Sequence, residues 1–395
     1  MFLPSILIMF IIASYITTDI SVPSFPNIAH YFGVSDGMVQ LTIAFNLLGF
    51  CVGVLLFGPL SESYGRRKAM IIGNSLLLMG SVSCAFTSSI YWLLASCFIQ
   101  GFGASASAVV FAVIADVYHG NKAIKFIGII NAVTTIVLAA APVSGSLINE
   151  IIGWRGNYGT LAIICLISWI LLFFALPETK KNREILNFRK VIKDYKRLFL
   201  NTKFLGSSLV ISLFCSAYMS FITCAPFLYT ETLGLPNVIY ALHQGVIIAS
   251  YSLVALFSGK ISEKLGSRRC VITGTAITVI GSLLITLVSI ITPNFSYSIT
   301  LSMVIMSVGF AICQGVIFNA AINIFSEIKG TASSAIGFIR SFLMSVFIAL
   351  TSYIYNGHAM SMSLFILFII TLQFIMTVFL LRSSEYCIKM KKECY

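Results

Sequence analysis

The chain has 395 residues, 58% of them hydrophobic and 10% charged, with a formal net charge of +12. A mean hydropathy of +0.98 lies far outside the soluble range and predicts a polytopic membrane protein rather than a cytosolic enzyme or a disordered chain. The basic excess is scattered over short loops and forms no patch of the kind that nucleic-acid binding needs.

Apolar stretches of about 20 residues, long enough as helices to cross a hydrocarbon core of roughly 30 Å, occur at 3–20, 39–60, 69–88, 92–115, 124–148, 157–177, 204–229, 238–259, 270–291, 297–324, 331–354 and 360–381. We refer to these as spans 1 to 12. Runs such as WILLFFAL have no period of two, so an all-helical fold is expected instead of a β-barrel. Span 1 has no basic run before it and no small-residue cleavage motif before Asp19, and so reads as a helix rather than a signal peptide.

All Lys and Arg except Arg155 and Arg340 fall in the tail or in the loops after spans 2, 4, 6, 8 and 10. That asymmetry predicts that both termini are cytoplasmic. The segment from Glu178 to Lys203, with nine basic and three acidic residues, is the single long polar stretch. It divides the chain into a six-helix bundle at 1–178, a basic cytoplasmic linker at 179–203, and a second six-helix bundle with its tail at 204–395. The ten cysteines lie mainly within spans and include no C-x-x-C pair, so neither a disulfide framework nor a metal site is expected. Cys387 and Cys394 in the tail are either palmitoylation sites or ordinary thiols.

After span 2 the sequence reads GPLSESYGRRK (58–68), and after span 8 it reads GKISEKLGSRR (259–269). Gly58, Ser61, Glu62, Gly65 and Arg67 align with Gly259, Ser262, Glu263, Gly266 and Arg268. A weaker echo pairs SYITT ahead of Pro23 with SFITC ahead of Pro226, and together they indicate a tandem duplication. Glycine permits a tight helix-to-helix turn, and the basic residues can reach helix-end carbonyls or a carboxylate. Asp116, at the end of span 4, is such a carboxylate. Glu62, Arg66 and Asp116 are therefore expected to form a cytoplasmic gate; Glu263, Gly266 and Arg268 form a weaker counterpart, because Ser267 stands in the place of Arg66.

Five motifs in order resemble the major facilitator superfamily, and within it the twelve-helix bicyclomycin/chloramphenicol resistance (Bcr/CflA) drug:proton antiporters. They are DISVPSFPNIAHYFGVSDGMVQ, GPLSESYGRRK, ADVYHG, APVSG followed by GWR, and GTASSAIGFIR. The resemblance covers nearly the whole chain. It implies two pseudo-symmetric six-helix bundles around a substrate cavity, proton-coupled export of small amphipathic compounds, a monomer, and a bacterial inner membrane. It also implies that Asp19 couples transport to protons. A carboxylate near membrane depth needs a function or a partner, which agrees with that role; capping of the helix end near Pro23 and Pro26 is the competing reading.

Arg340 lies about 15 Å into span 11 at 1.5 Å per residue, and is expected to meet a carboxylate, carbonyls or an anionic substrate group in the cavity. Pro142 and Gly145 correspond to the antiporter-motif helix, where the small residues also suit ordinary close packing. Tyr15, Phe45, Gln100 and Tyr218 are further cavity candidates. The sequence departs from the family at Cys97, where an arginine associated with coupling is usual. It departs also at Glu62, where Asp is usual, and at Ser144 and Ser146, which surround a single glycine.

The four histidines (His30, His119, His243, His358) are widely spaced, and no nucleophile–base pair, metal cluster or G-x-x-x-x-G-K-[ST] loop is present. The chain therefore reads as no enzyme and no ATP-driven pump, without a cofactor, its partners being a small-molecule substrate, protons and membrane lipids. Uptake or exchange of a metabolite, and a non-transporting sensor or scaffold, are the alternatives to export, because fold alone does not fix function.

Overall fold

The computed structural model describes residues 3–119, 121–180 and 188–382. The tail, with Cys387, Cys394, Lys389, Lys391 and Lys392, and positions 181–187 of the linker lie outside the described residues. Among those described there are helices and turns but no strand. Twelve helical segments are long and apolar enough to cross a membrane, matching the expected number.

The chain separates into two compact units, 1–192 and 193–395, with the division inside the polar segment between spans 6 and 7. The first unit contains spans 1 to 6: Leu3–Phe32, Asp36–Tyr64, Arg66–Phe86, Ile90–Val117, Lys125–Ile152 and Trp154–Ala175. The second contains spans 7 to 12: Thr202–Thr232, Asn237–Leu265, Ser267–Ile291, Ser296–Asn323, Lys329–Ile354 and Ala359–Arg382.

Span 1 is longer than its apolar run suggests, and it is broken. Its first helix ends at Asp19, a short 3-10 turn covers Val22–Ser24, and a second helix runs Phe25–Phe32. Pro23 and Pro26 account for the break, since neither offers a backbone N–H and both fit the first turn of a new helix. Span 7 is also irregular. Its α-helix ends at Pro226 and continues as a π-helical turn, Phe227–Thr232. Below that turn its serines back-bond to their own helix: Ser208, Ser212 and Ser216 each donate to the carbonyl four residues earlier, at 2.8, 2.7 and 2.8 Å.

Lipid chains are as apolar as leucine, so spans are held together by close packing and not by hydrophobic burial against each other. The contact between spans 3 and 4 shows how closely the backbones approach. A Cβ added to Gly80 would sit 2.6 Å from the Gln100 nitrogen. In the second unit a Cβ on Gly281 would sit 2.5 Å from the Met306 nitrogen, between spans 9 and 10. These two glycines, with Gly73 and Gly274 before them, keep the register of the repeated loop motif, so the duplication extends into GNSLLLMGS and GTAITVIGS.

A further helix, Phe188–Phe199, lies in the segment read as a polar linker. Within the second unit its Leu198 is buried against Phe204, Ala332 and Ile336, and Arg197 pairs with Glu327 at 2.9 Å. A search for 20-residue apolar runs does not register this helix, because only one of its faces is apolar.

Gly80→Val and Gly281→Val should each cost about 1–3 kcal/mol through overpacking, read as a lowered thermal midpoint of the detergent-solubilised protein. Gly159→Val, with nothing within 4 Å of its added Cβ, is the control and should change little.

Candidate functional site

Two buried polar centres occupy the first unit. The first is Asp19, the last residue before the break in span 1, only 5% exposed. Thr18 Oγ1 donates to its Oδ2 at 3.1 Å, and among the described residues no basic side chain pairs with it. The short turn at Val22 begins with Ser21, and no side-chain bond caps it; the carboxylate of Asp19 does not cap the following helix.

Neighbouring spans hold this break in place. Gly145 of span 5 lies against Ile20, and a Cβ there would overlap the Ile20 carbonyl. Asn157 of span 6 donates to Ser24 Oγ at 2.5 Å. Tyr158, fully buried, lies within electrostatic reach of Ser21, Cys84 and Cys97. Cys97, the position of the family's usual arginine, is itself buried, 3.8 Å from the Cys84 sulfur. That place in the fold is thus filled by two thiols and a phenol, with no cation. Pro142 is buried in span 5, and Ser144 back-bonds to the Ala140 and Ala141 carbonyls at 3.0 Å each.

The second centre surrounds Arg66, at the junction of spans 2 and 3. Its guanidinium donates to Glu62 at 2.6 Å, to Asp116 at 3.1 Å and to Ser61 Oγ at 2.7 Å. Its backbone N–H donates to Glu178 Oε1 at 2.8 Å. Lys180 Nζ pairs with the other oxygen of Glu62, and Thr179 Oγ1 donates to Asp116 at 3.3 Å. Arg67 turns away and donates to the Phe173 carbonyl at 2.5 Å. Gly65 makes the turn with φ of +100°, and a Cβ there would overlap the Glu178 carboxylate. Gly58 supplies the carbonyl that accepts from Ser61 Oγ at 2.7 Å.

The structure therefore brings Glu62, Arg66 and Asp116 together and adds Glu178 and Lys180. Sequence reasoning placed those two at the start of the linker. The available signal was their position directly after span 6, on the same side as the loop motif.

The second copy keeps only the turn. Gly266 has φ of +79° with nothing within 4 Å of an added Cβ. Glu263 and Arg268 are exposed, and no ion pair joins them among the described residues.

The remaining candidates separate. Gln100 lines no open surface: it is 1% exposed, accepts from Asn46 Nδ2 at 3.1 Å and donates to Ser81 Oγ at 3.0 Å. It belongs to a polar network joining spans 2, 3 and 4, because an amide inside a span must satisfy both its donor and its acceptor. Tyr15 is half-buried against the apolar core that includes Phe10 and Val110. Phe45 is 36% exposed, and Tyr218 is half-buried on span 7.

Arg340 is half-buried in the helix Lys329–Ile354, within electrostatic reach of Cys215 and Tyr251. No carboxylate or carbonyl partner engages it among the described residues. Sequence reasoning also missed Arg155, which donates to the Thr87 carbonyl at 2.8 Å and lies 4.3 and 4.2 Å from the ring centroids of Tyr31 and Trp154.

Twelve apolar helices in two units, with the fully buried acidic and basic side chains among the described residues at one helix break and one interhelical turn, define a polytopic helical membrane protein of the transporter type. The family model for the Major Facilitator Superfamily matches residues 7–349. The chain is 27% identical over 359 residues to the chloramphenicol resistance protein CraA of Acinetobacter baumannii, covering 89% of this chain and 86% of that protein. It is 24% identical to the multidrug resistance protein MdtM of Escherichia coli K12, covering 90% and 88%. It is 28% identical to YdgK, an uncharacterized MFS-type transporter of Bacillus subtilis, covering 83% of each. Among solved structures, a bacterial homologue of the human lysosomal transporter Spinster superposes with a TM-score of 0.78 at 14% identity, covering 98% of this chain and 97% of that one. The xylose transporter XylE of Escherichia coli gives 0.75 at 16%, covering 96% and 97%. The chain belongs to the Major Facilitator Superfamily and is a membrane transporter, not an enzyme.

Gly65→Ala and Gly266→Ala should differ. Both force a side chain into positive φ at about 1–2 kcal/mol, but only Gly65→Ala also displaces the Glu178 carboxylate from the Arg66 N–H, adding roughly 1–3 kcal/mol. Thermal unfolding of the two variants side by side reads the difference.

Proposed function

We propose that the protein is a proton-coupled exporter of small amphipathic drugs, of the Bcr/CflA type, in a bacterial inner membrane. It acts as a monomer with both termini cytoplasmic, and its two bundles at 1–178 and 204–395 move by alternating access. The observation that carries this reading is Asp19: a carboxylate buried at a helix break, with no basic partner among the described residues. An unpaired buried carboxylate is costly when ionised, and a group that exchanges a proton for a substrate avoids keeping that charge alone. The names of CraA and MdtM, a chloramphenicol resistance and a multidrug resistance protein, support drugs as the cargo.

In this reading, the Arg66 cluster is the cytoplasmic gate. Glu62 and Asp116 share one guanidinium, so a small separation of spans 2 and 4 breaks charge-assisted bonds together instead of one at a time. Gly145, packed on Ile20, keeps span 5 against the break and limits leakage of protons past it. Cys97 favours a second reading, exchange or uptake of a metabolite without proton coupling, since the position of the family arginine carries no charge.

Everted membrane vesicles with an acid interior test the proposal. Chloramphenicol should collapse the pH gradient in vesicles holding the wild-type protein and not in those holding Asp19→Asn. Collapse in both would move coupling away from Asp19, and a response in neither would leave the exchange reading. Arg66→Ala, present in the membrane at wild-type level, should slow the response by about ten-fold or more; an unchanged rate would remove the gate.

A further inference from the structure

The second unit contains a charge that its described residues leave unanswered. Arg340 stands about 17 Å along its helix from Lys329 at 1.5 Å per residue, beyond the reach of its own side chain to that end. The acidic residues described in this unit, Asp194, Glu231, Glu263 and Glu327, lie at or outside the ends of its spans. Glu327 is taken by Arg197, and no hydrogen bond or ion pair engages Arg340 among the described residues. Arg340 as a whole residue is only half-buried. A permanently charged, five-donor group at such a depth must meet an acceptor from outside the fold.

The surroundings state what kind. Phe214 of span 7 stacks on Phe310 of span 10 with ring centroids 3.6 Å apart and planes at 14°. Tyr251 of span 8 continues the stack, 6.3 Å from Phe310 and at 22° to it. Tyr251 lies within electrostatic reach of Arg340 and donates its hydroxyl proton to Gln314 Oε1. Tyr251, Gln314 and Cys215 are, like Arg340, only half-buried. Four part-open side chains from spans 7, 8, 10 and 11 thus converge beside a run of parallel rings.

We infer that this cluster is a binding subsite for an aromatic monoanion, whose carboxylate-type group takes the Arg340 guanidinium while its ring extends the Tyr251–Phe310–Phe214 stack. The guanidinium fork accepts a planar two-oxygen anion bidentately, and the stacked rings select a flat, apolar remainder. The inference rests on the reading of the chain as a carrier of small molecules, and it narrows their chemistry: acidic aromatic compounds are preferred over their neutral amides.

The test is equilibrium binding of radiolabelled 2-naphthoate, 2-naphthamide and octanoate to the intact detergent-solubilised protein, which needs neither proton coupling nor a direction of transport. Failure here and failure of the vesicle assay are therefore separate results. Wild-type protein should bind 2-naphthoate about ten-fold more tightly than either other compound. Arg340→Gln should bring 2-naphthoate down to the amide and leave the amide within about two-fold, and Arg340→Lys should retain part of the preference, since it keeps the charge and loses the fork. Equal binding of naphthoate and naphthamide to the wild type, or a preference that survives Arg340→Gln, overturns the proposal. Octanoate binding as tightly as naphthoate overturns the aromatic half of it. Should Arg340→Gln fail to fold, the wild-type protein still decides. Cys215 is the one described cysteine that is not fully buried, and its alkylation by N-ethylmaleimide, read by peptide mass spectrometry, should be slowed by 2-naphthoate and not by 2-naphthamide; equal or absent protection counts against the site.

Discussion

A guanidinium keeps its charge at every physiological pH, and Arg66, 4% exposed, is placed where water cannot neutralise it. One end of the first unit is arranged accordingly. The end of span 2 supplies Glu62 and Ser61, span 4 supplies Asp116, and the chain leaving span 6 supplies Glu178 to the Arg66 backbone and Lys180 to Glu62. Buried ion pairs contribute little net stability, because desolvation offsets much of the attraction, yet they are exacting about geometry. Spans 2, 3 and 4 are thereby held in one register by a single side chain, and the chain leaving span 6 joins them through the Arg66 backbone and Glu62. Gly65 follows from the same constraint: the turn must bring Arg66 under the Glu178 carboxylate, and no Cβ fits between them.

The second unit repeats the backbone of this arrangement without its charges. Gly266 makes the same kind of turn as Gly65, and Gly274 and Gly281 pack on span 10 as Gly73 and Gly80 pack on span 4. Ser267 replaces Arg66, and the adjacent Glu263 and Arg268 remain exposed. Helix-to-helix approach is demanded equally by both halves, so the glycines persist in both. Among the described residues, an interhelical turn with a fully buried charged side chain belongs to the first half. In the second half, the charge that sits at depth is Arg340, on a different helix and with a different neighbourhood, so the two units carry their polar chemistry at different levels of a common frame.

The twelve spans were legible in the sequence because they depend on runs of apolar residues, which are a local property. The triad of Glu62, Arg66 and Asp116 was legible for a related reason: a repeated motif fixes the loop, and the end of span 4 lies at the same side of the membrane. Glu178 and Lys180 were not, since nothing in a polar linker tells which of its residues fold back. Gln100 was misread because an amide within a span suits both an open cavity and a closed network, and only the positions of Asn46 and Ser81 decide between them. The helix at Phe188–Phe199 was missed for want of length, and the tight seat of Gly145 on Ile20 depends on a break whose depth the two prolines do not specify.

Span 7 has a property of another kind. Each hydroxyl that bonds to a carbonyl of its own helix draws that carbonyl away from the amide it would otherwise serve, which loosens and bends the rod. Ser208, Ser212 and Ser216 do this on successive turns, and above them Pro226 removes an amide outright and leads into a wider π turn. Elastically, the helix is therefore graded, softened in steps along its lower half and nearly hinged at its upper end.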